Sequence, residues 1–495
     1  MRFLRKFDGR TIEITTDREI NSGGEARIYT VDSDPSLVAK IYRRAKPQTS
    51  SKLLTMVQNP PPDPTAAQGH ASIAWPVDLL LSAADGTVAG YLMPYVVGAH
   101  PILDLYSPGE RLEVCPLFSY QYLFRTAQNL AAVVHALHVR DYVIGDINES
   151  NILVLDTALV TVVDTDSFQV PDLDGGTVFH CPVGKPEFTP PELQGKPLDD
   201  VTRTPAHDRF GLAVLIFQLL MEGNHPFAGI FTGEDDPPPI EARISAGHYP
   251  YGSSEAPYRP APFAPPIEIL PAVLRTMFRR CFEDGRQDPR MRPHAAEWVK
   301  ALKEAELDLA ACGVNDQHLY GSHLDMCPWC RRAETLGGTD PFPSKLRVVS
   351  GRHKEPLPAT TQSALPSSSA PSIRAAVAAM PPPAEEAPPT DRTGPWASTA
   401  AAALLQGLKP ALGRLLVGGA DRIRKLRGSP IDAPSHRITY VGRAASSGRS
   451  SSNAARSRLY LLLIALAITI AIVTIGLKYG GRQKSIPFVR TTSHD

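Results

Sequence analysis

Three oxygen-bearing side chains are spaced so that they could bind one metal ion. Asp146 is followed by Asn151 five positions later, and Asp164 lies thirteen positions after Asn151. The apolar runs 152–155 and 160–163 flank a turn, so they predict a short hairpin that brings Asp164 back beside Asn151. Mg²⁺ prefers hard oxygen ligands and often shares them with phosphates. The segment therefore predicts a magnesium site, with ordinary turn-forming Asp and Asn residues as the alternative.

A glycine pair farther upstream could bring the backbone close to phosphate groups. Asn21, Ser22, Gly23 and Gly24 form a loop between two predicted strands. Backbone N–H groups in such a loop can approach phosphates where side chains would clash. Lys40 lies on the following predicted strand, from which its ammonium could reach the α- and β-phosphates of a nucleotide. Loop and lysine together predict a phosphate-binding region.

The elements that must position these residues change in type along residues 1–310. Strands are predicted at 11–14, 27–31 and 37–42, which are rich in β-branched and aromatic residues. Farther along, apolar residues recur at the spacing of an amphipathic helix. They are Leu123, Ala127, Leu130, Val134 and Leu137. Strands followed by helices predict an α+β protein with two unequal lobes.

In this order and spacing, the residues resemble those of a protein kinase. Asp146 and Asn151 match the Asp-x4-Asn of the kinase catalytic loop, and Asp164 matches the metal-binding Asp that follows it. The resemblance implies that Asp146 is the catalytic base and that Asn151 and Asp164 hold Mg²⁺. It also implies that Lys40 orients the phosphates of ATP.

The resemblance extends over residues 12–305 and implies a two-lobed, protein-kinase-like α+β domain at 1–305. The N-lobe would cover about residues 1–95 and the C-lobe about residues 96–305. ATP contacts are implied for the loop at 21–24 and for two residues near the lobe boundary, Met93 and Tyr95.

Later landmarks of the kinase pattern are also present. Segment 184–192 looks like the end of a kinase activation loop, closing on Glu192. Asp208 resembles the residue that braces the catalytic-loop backbone from the large C-lobe helix. Arg292, in the segment Asp-Pro-Arg-Met-Arg-Pro, resembles the arginine that pairs with the residue matching Glu192. The resemblance therefore predicts two specific contacts in the C-lobe.

A bacterial group of kinase-like proteins, described as carrying helix-hairpin-helix DNA-binding domains, is more closely similar. Five segments carry this likeness: 37–42, 143–146, 164–170, 186–193 and 210–220. We find no convincing helix-hairpin-helix in the sequence, and the C-terminal third reads as linker and membrane span instead. The DNA-binding label of the group is therefore not transferred.

The sequence departs from the kinase pattern at its loops. Asn21 and Ala26 replace two loop glycines. Ile144 and Gly145 replace the His-Arg that precedes the catalytic Asp. Without that Arg, an activation-loop phosphate has lost its usual partner, so this kinase would not need that switch.

A second departure concerns the carboxylate that pairs with Lys40. Kinases supply it from a helix Glu, yet residues 41–62 contain no Asp or Glu. Gln48 or Gln58 could substitute weakly, or the carboxylate could come from elsewhere. Asp166 could be a second magnesium ligand or cap a turn, and the turn is the preferred interpretation. This departure is the main argument for a pseudokinase.

A cysteine and histidine cluster follows the kinase-like region. Cys327 and Cys330 form a Cys-x2-Cys knuckle that can present two thiolates to zinc. Cys312 and one histidine would complete a tetrahedral site. His318 is preferred to His323 because a His-x-Tyr element recurs in the similar bacterial group. The alternative is a redox pair; the zinc interpretation places a zinc-knuckle-like segment at 306–335.

The C-terminal part predicts membrane attachment. Residues 336–458 are rich in Pro, Ala and Ser and predict a disordered, basic linker. Residues 459–477 are 19 residues without charge or proline, long enough for one transmembrane helix, and residues 478–495 form a short tail. The net charge of zero hides a basic segment, because residues 401–495 contain 15 Lys or Arg but 3 Asp or Glu.

These charges also predict an orientation. Residues 401–458 contain 11 Lys or Arg against 4 in the tail. The positive-inside rule therefore places the kinase-like region on the cytoplasmic side of the plasma (inner) membrane, as a single-pass protein. The basic flanks suit anionic lipid headgroups as partners.

Three hypotheses of function follow. The first is a membrane-anchored protein kinase of the Ser/Thr type that uses ATP and Mg²⁺. The second is an ATP-binding pseudokinase scaffold at the membrane. The third is a nucleic-acid-binding adaptor that relies on the zinc segment and the basic tail. The first is favoured because all four groups that would touch metal, phosphate and substrate hydroxyl are present: Lys40, Asp146, Asn151 and Asp164.

Overall fold

A seven-stranded antiparallel sheet forms the N-lobe in the computed structural model, which describes residues 1–357 except 47, 173–175 and 177. All described residues belong to the first of two units, Met1–Ala384. The strands are β1 (Arg2–Arg5), β2 (Thr11–Glu13), β3 (Glu19–Ser22), β4 (Ala26–Thr30), β5 (Leu37–Tyr42), β6 (Asp78–Ser82) and β7 (Val88–Pro94). Their order across the sheet is β2-β1-β6-β7-β5-β4-β3.

This order corrects one sequence prediction. The glycine pair was expected to join strands 11–14 and 27–31. It joins β3 to β4 instead, while β2 lies at the opposite edge of the sheet. Strand β3 escaped prediction because its four residues are all exposed, so it has no alternation between buried and exposed positions.

The two faces of β5 separate two parts of the core. Ala39 packs with the residues under β1 and β2, whereas Val38 packs with helix α1 (Thr49–Gln58) and with the C-lobe. Side chains two residues apart share a face of a strand. Lys40 and Tyr42 therefore lie on the same face as Val38, toward α1 and the C-lobe.

Helices dominate the C-lobe, as the sequence predicted. They are α2 (Ile102–Tyr106), α3 (Pro108–Val114), α4 (Tyr120–His138), α5 (Pro205–Leu220), α6 (Ile240–Ala246), α7 (Ala272–Arg279), α8 (Gly285–Gln287) and α9 (Ala295–Leu307). The predicted amphipathic helix is α4, and its five predicted core positions are buried. It packs against α5 and α9.

Short strands lie among the loops of the C-lobe. They are β8 (His100–Pro101), β9 (Ile152–Val154), β10 (Val160–Val162), β11 (Val170–Pro171), β12 (Val178–Phe179), β13 (Ile230–Phe231) and β14 (Tyr258–Arg259). They form one three-stranded sheet, in the order β10-β9-β8, and two strand pairs, β11-β12 and β13-β14. Strands β9 and β10 pair antiparallel, with Leu153 opposite Thr161. The hairpin predicted between Asn151 and Asp164 is therefore confirmed.

A small cysteine-containing module follows α9 and packs on the C-lobe. Its elements are β15 (Leu309–Ala311), β16 (Leu319–Gly321), α10 (Pro328–Thr335) and α11 (Lys345–Val349). The predicted boundary between module and linker at 335–336 is wrong. Asp340 and Phe342 are buried, because they pack back onto the module. The folded part thus continues beyond the predicted end of the zinc segment.

Among the described residues, no helix combines the length and the apolar character needed to cross a membrane. The predicted span at 459–477, the tail at 478–495 and the predicted linker beyond residue 357 lie outside the described residues.

Candidate functional site

Two side-chain amides hold the Asp146 carboxylate. Asn148 Nδ2 lies 2.9 Å from Asp146 Oδ1, and Asn151 Nδ2 lies 3.3 Å from Asp146 Oδ2. Asn148 also accepts a hydrogen bond from the Ser150 N–H and so caps the turn that carries Asn151. Burial raises the pKa of the Asp146 carboxyl, and the charge of Asp164 raises it further. The two amide hydrogen bonds lower this pKa, but by less, so it lies above its usual value. Asp146, Asn151 and Asp164 are therefore brought together.

Asp208, in the first turn of α5, fixes the backbone that precedes Asp146. Its carboxylate accepts hydrogen bonds from the N–H groups of Ile144 and Gly145, each at 2.8 Å. His138 Nε2 lies 2.9 Å from the same carboxylate, which is almost fully buried. The predicted bracing of the catalytic loop is confirmed.

The second predicted C-lobe contact is also confirmed. Arg292 donates two hydrogen bonds to the Glu192 carboxylate, at 2.7 and 2.6 Å, in a bidentate pair. A third bond, to the Gly285 carbonyl at 2.8 Å, holds the completely buried guanidinium. The end of the activation segment is thereby fixed to the C-lobe.

Arg203 is a functional-site residue that sequence reasoning missed. Its guanidinium donates to the carbonyl of Gly145 and, at 2.5 Å, to that of Val183. The Gln169 side chain holds the Arg203 backbone with bonds of 2.7 and 2.8 Å. Gly145 has φ 73°, and a Cβ there would lie 2.8 Å from both Arg203 and Cys181. Arg203 therefore ties the catalytic loop to the activation segment where the His-Arg of other kinases is replaced.

Lys40 binds two carboxylates of the segment that follows β10. Its ammonium lies 2.6 Å from Asp164 Oδ1 and 2.6 Å from Asp166 Oδ1. Of the two alternatives that the sequence left open, the carboxylate from elsewhere in the chain is therefore confirmed, and the glutamine substitute is wrong. The turn-capping interpretation of Asp166 is also wrong, because its carboxylate binds Lys40.

Two tyrosine hydroxyls complete the surroundings of Asp166. Tyr42 donates to Asp166 Oδ2 at 2.7 Å and Tyr91 donates to Oδ1 at 2.8 Å. Burial raises the pKa of the Asp166 carboxyl, but the Lys40 charge and the three hydrogen bonds outweigh it, so this pKa lies below its usual value. Asp166 is therefore a buried, charged carboxylate.

Asp164 faces the cleft more openly than Asp166. Its side chain is 41% exposed, against 12% for Asp166. The residue adopts a left-handed conformation, with φ 58°, where the chain leaves β10. This turn points one carboxylate of the pair toward solvent, where it could hold a metal ion.

The predicted nucleotide contacts lie on the strands around Lys40. Gly23 N–H donates to the Ala26 carbonyl at 2.9 Å, which closes the turn between β3 and β4. Asn21 accepts a bond from the Ser22 N–H. A Cβ at Gly24 would meet nothing within 4 Å, so the turn is open on that side.

Met93 and Tyr95 lie where β7 leads out of the N-lobe. Met93 pairs with Val38 across β5 and β7 and is buried. The Tyr95 N–H donates to the Ser36 carbonyl at 2.8 Å, and its side chain is half-buried. Both positions lie near the lobe boundary, as predicted.

Helix α1 contributes a cation, Lys52, and contains no acidic residue. Lys52 is half-buried on α1 and makes no ion pair with any described residue. Burial lowers the pKa of its ammonium to about 8, while the nearby carboxylates of Asp166 and Asp164 oppose this shift. The cleft thus holds two lysines, of which only Lys40 was predicted.

The structure brings the four predicted zinc ligands together in the C-terminal module. The sulfurs of Cys312 and Cys330 lie 3.7 Å apart. His318 Nδ1 lies 3.5 Å from the sulfurs of both Cys327 and Cys330. All four ligand atoms lie within 4.8 Å of one another. His323 lies elsewhere, with Nε2 at 3.0 Å from the Glu268 carbonyl.

Asp340 orients the histidine of this cluster. Its Oδ1 lies 2.9 Å from His318 Nε2, which leaves Nδ1 free to face the sulfurs. Asp340 in turn accepts bonds from Asn315 Nδ2 and from the Phe342 N–H, each at 2.9 Å. Sequence reasoning missed Asp340 because it had been assigned to the linker.

Fold and site together define the class of protein. A β-rich lobe supplies a lysine, and a helical lobe supplies an Asp–Asn pair and, after a hairpin, a second Asp. The braced catalytic loop and the Arg292–Glu192 pair complete the pattern. The described part of the chain therefore has a protein-kinase-like α+β fold and site.

Known proteins give the same class. No family model matches the chain. Protein kinase YegI of Escherichia coli strain K12 is 36% identical over 329 residues, which are 65% of this chain and 49% of that protein. Protein kinase YegI of E. coli O157:H7 is 35% identical over 324 residues, 64% of this chain and 48% of that protein. The chain spans about half the length of these relatives, and the resemblance to bacterial kinase-like proteins is confirmed.

The fold is also similar in part to a solved kinase domain. The ROP18 kinase domain in complex with AMP-PNP and sucrose matches with a TM-score of 0.41 and 16% sequence identity, covering 61% of this chain and 82% of that chain.

Proposed function

We propose that residues 1–305 transfer the γ-phosphate of ATP to Ser or Thr hydroxyls of proteins. The observation that carries this proposal is the convergence of Lys40, Asp164 and Asp146, with Asn151 bound to Asp146. In phosphoryl transfer, catalysis consists of positioning and charge stabilisation, and these four groups supply both.

Each side chain has one task in this proposal. Asp146 accepts the proton of the attacking hydroxyl, and its two amide partners hold the carboxylate in place. Lys40 donates to the α- and β-phosphates. Asn151 and Asp164 offer hard oxygen ligands and would hold Mg²⁺. When bound, Mg²⁺ would neutralise charge on the transferring phosphate.

Transfer of label from γ-labelled ATP tests the proposal. We expect the full-length protein to label itself or a generic protein substrate in Mg²⁺ and not in EDTA, with phosphoserine or phosphothreonine as the product. Asp164→Asn should remove the label, and Asp199→Asn, an exposed loop change of the same chemistry, should keep it. Equal label in wild type and Asp164→Asn refutes the proposal. Thermal stabilisation by Mg-ATP without transfer would support the pseudokinase scaffold.

The pH dependence of transfer should respond to Arg203. Its charge lowers the pKa of Asp146, and Asp146 must be deprotonated to act as base. Activity is lost as pH falls through that pKa, so Arg203→Met should move the acidic limb of kcat/KM to higher pH. Arg203→Lys keeps the charge and should leave the limb nearer to its wild-type position. Identical limbs in wild type and Arg203→Met would contradict the assignment.

We further propose that residues 459–477 anchor the protein in the plasma membrane, with the kinase-like region in the cytoplasm. The support is the length of the apolar segment and the excess of basic residues before it. Full-length protein should resist alkaline extraction from membranes, whereas protein truncated after residue 458 should be released. Protease added outside intact spheroplasts should leave the kinase-like region uncut.

A structural zinc site at Cys312, His318, Cys327 and Cys330 is also proposed. Tetrahedral zinc with Zn–S of about 2.3 Å and Zn–N of about 2.0–2.1 Å requires roughly 3.8 Å between sulfurs and 3.5 Å between sulfur and nitrogen. The distances of 3.7 and 3.5 Å match these values. The Asp340 contact to His318 is the partner expected of a zinc-bound imidazole.

A further inference from the structure

Lys40 lacks the carboxylate that usually orients it. In protein kinases the strand lysine pairs with a glutamate on the N-lobe helix, and movement of that helix makes or breaks the pair. Helix α1 has no acidic residue and carries Lys52 on its half-buried side. A helix that presents a cation cannot orient Lys40 by attraction. The orienting carboxylate must come from another element.

Asp166 meets the requirements for this role. It is 12% exposed and lies 2.6 Å from the Lys40 ammonium. The register of β5 and β7 places Tyr91 opposite Lys40, while Tyr42 lies two residues farther along the same face. The ammonium and both hydroxyls therefore converge on one carboxylate, at 2.6, 2.7 and 2.8 Å. Three donors from two neighbouring strands fix its position.

Asp164 cannot perform this task alone. Its side chain is the more exposed of the two carboxylates, and it is the one that would hold Mg²⁺. A carboxylate bound to a metal ion has less charge to offer Lys40. With Asp166 present, Lys40 keeps a buried anionic partner while Asp164 faces the cleft.

We propose that Asp166 is the positioning residue for Lys40 and replaces the helix glutamate of other kinases, an inference that rests on the proposed function. The orientation of Lys40 then depends on the segment after β10 and on two strand tyrosines. The position of α1 does not control it. Phosphate binding by Lys40 is thus built into the fold, without the helix-controlled switch.

Nucleotide binding under varied Mg²⁺ tests this assignment. In Asp166→Asn, Lys40 has only Asp164 left, so Lys40 and Mg²⁺ compete for one carboxylate. We expect the Mg²⁺ concentration for half-maximal binding of a non-hydrolysable ATP analogue to rise by about 10- to 100-fold. This is the size of effect expected when an active-site group is displaced by about 1 Å. Where transfer is measurable, kcat/KM for ATP should fall by a similar factor. Titration calorimetry on the full-length protein gives the binding values.

Controls separate positioning from general damage. Asp199→Asn removes an exposed charge and should leave the Mg²⁺ dependence unchanged. If Asp166→Asn folds poorly, the Tyr42→Phe/Tyr91→Phe double variant is the substitute. It keeps the Asp166 charge but removes two of the three hydrogen-bond donors to the carboxylate. The Mg²⁺ concentration for half-maximal binding should then rise by a smaller factor. Wild-type Mg²⁺ and ATP dependence in a folded Asp166→Asn variant overturns the proposal. If nucleotide binding changes as expected but the wild-type protein transfers no phosphate, the positioning role of Asp166 is retained and the proposed kinase activity is rejected.

Discussion

Replacing Asp146 by Asn is expected to lower kcat for phosphoryl transfer by about 10²- to 10⁴-fold, the usual contribution of a general base. The amide keeps the size of the carboxyl, but it has one acceptor oxygen and so keeps the bond from Asn148 or from Asn151, not both, and it cannot accept the hydroxyl proton. Affinity for Mg-ATP should change little, because Asp146 faces the hydroxyl and not the phosphates. Steady-state kinetics at saturating ATP, with calorimetric ATP affinity, would measure both effects.

If the wild-type protein transfers phosphate as proposed, its pH profile should show the same base. Burial raises the pKa of Asp146 above its ordinary value, so its protonated form persists to higher pH than for an exposed Asp. Transfer should therefore rise with pH along a limb displaced upward from about 3.9. Asp146→Asn should lack this limb in its residual activity. A variant with more than a tenth of wild-type kcat, or with an unchanged limb, would show that another group accepts the proton.

The residues that sequence reasoning placed correctly are close neighbours along the chain or belong to spaced motifs. The hairpin between Asn151 and Asp164 depends on two short β-branched runs and a turn, which local preferences determine. The contacts of Asp208 and of Arg292 with Glu192 follow from the order of motifs in the resembling family. In both cases the information lies in residue types at fixed spacing.

The roles of Asp166 and Arg203 depend on tertiary contacts that no local pattern encodes. Asp166 is 75 residues from Tyr91 and 124 from Tyr42 in sequence, and only the register of β5 and β7 unites these hydroxyls. Arg203 lies in an irregular segment before α5, so no periodicity marks it. A turn was the natural reading of an Asp flanked by Thr and Ser. Tertiary packing instead brings the Asp166 carboxylate into contact with Lys40, Tyr42 and Tyr91.

The end of the folded region was mispredicted for a related reason. Composition assigned residues from 336 onward to the linker, because prolines and small polar residues increase there. Asp340 and Phe342 nonetheless serve the module, one by binding His318 and the other by packing on Trp329 with ring centroids 4.8 Å apart. Two well-placed residues can order a segment whose average composition indicates disorder.

Replacing Cys330 by Ser is expected to remove bound zinc and to unfold the module that it closes. Cys330 lies near both Cys312 and His318, so its loss leaves three ligands and an incomplete tetrahedron. Structural zinc contributes about 10–16 kcal/mol of binding free energy in small zinc domains, and this energy is coupled to folding. Elemental analysis should fall from one zinc per chain to well below one. The melting temperature should fall as well.

The loss should extend into the C-lobe, because several side-chain contacts join the C-lobe to the module. Trp329 packs on Tyr120 with ring centroids 4.5 Å apart, and Arg332 Nε lies 2.8 Å from Glu222. The buried Arg111 reaches the Pro341 carbonyl at 3.2 Å. Hydrogen exchange in α3 and α4 should therefore rise in Cys330→Ser and, after chelation, in wild type. As a control, Cys115→Ser changes a cysteine outside the cluster and should leave both the zinc content and the melting temperature unchanged. Wild-type protein that melts at the same temperature with its zinc and after chelation would refute a metal-dependent module.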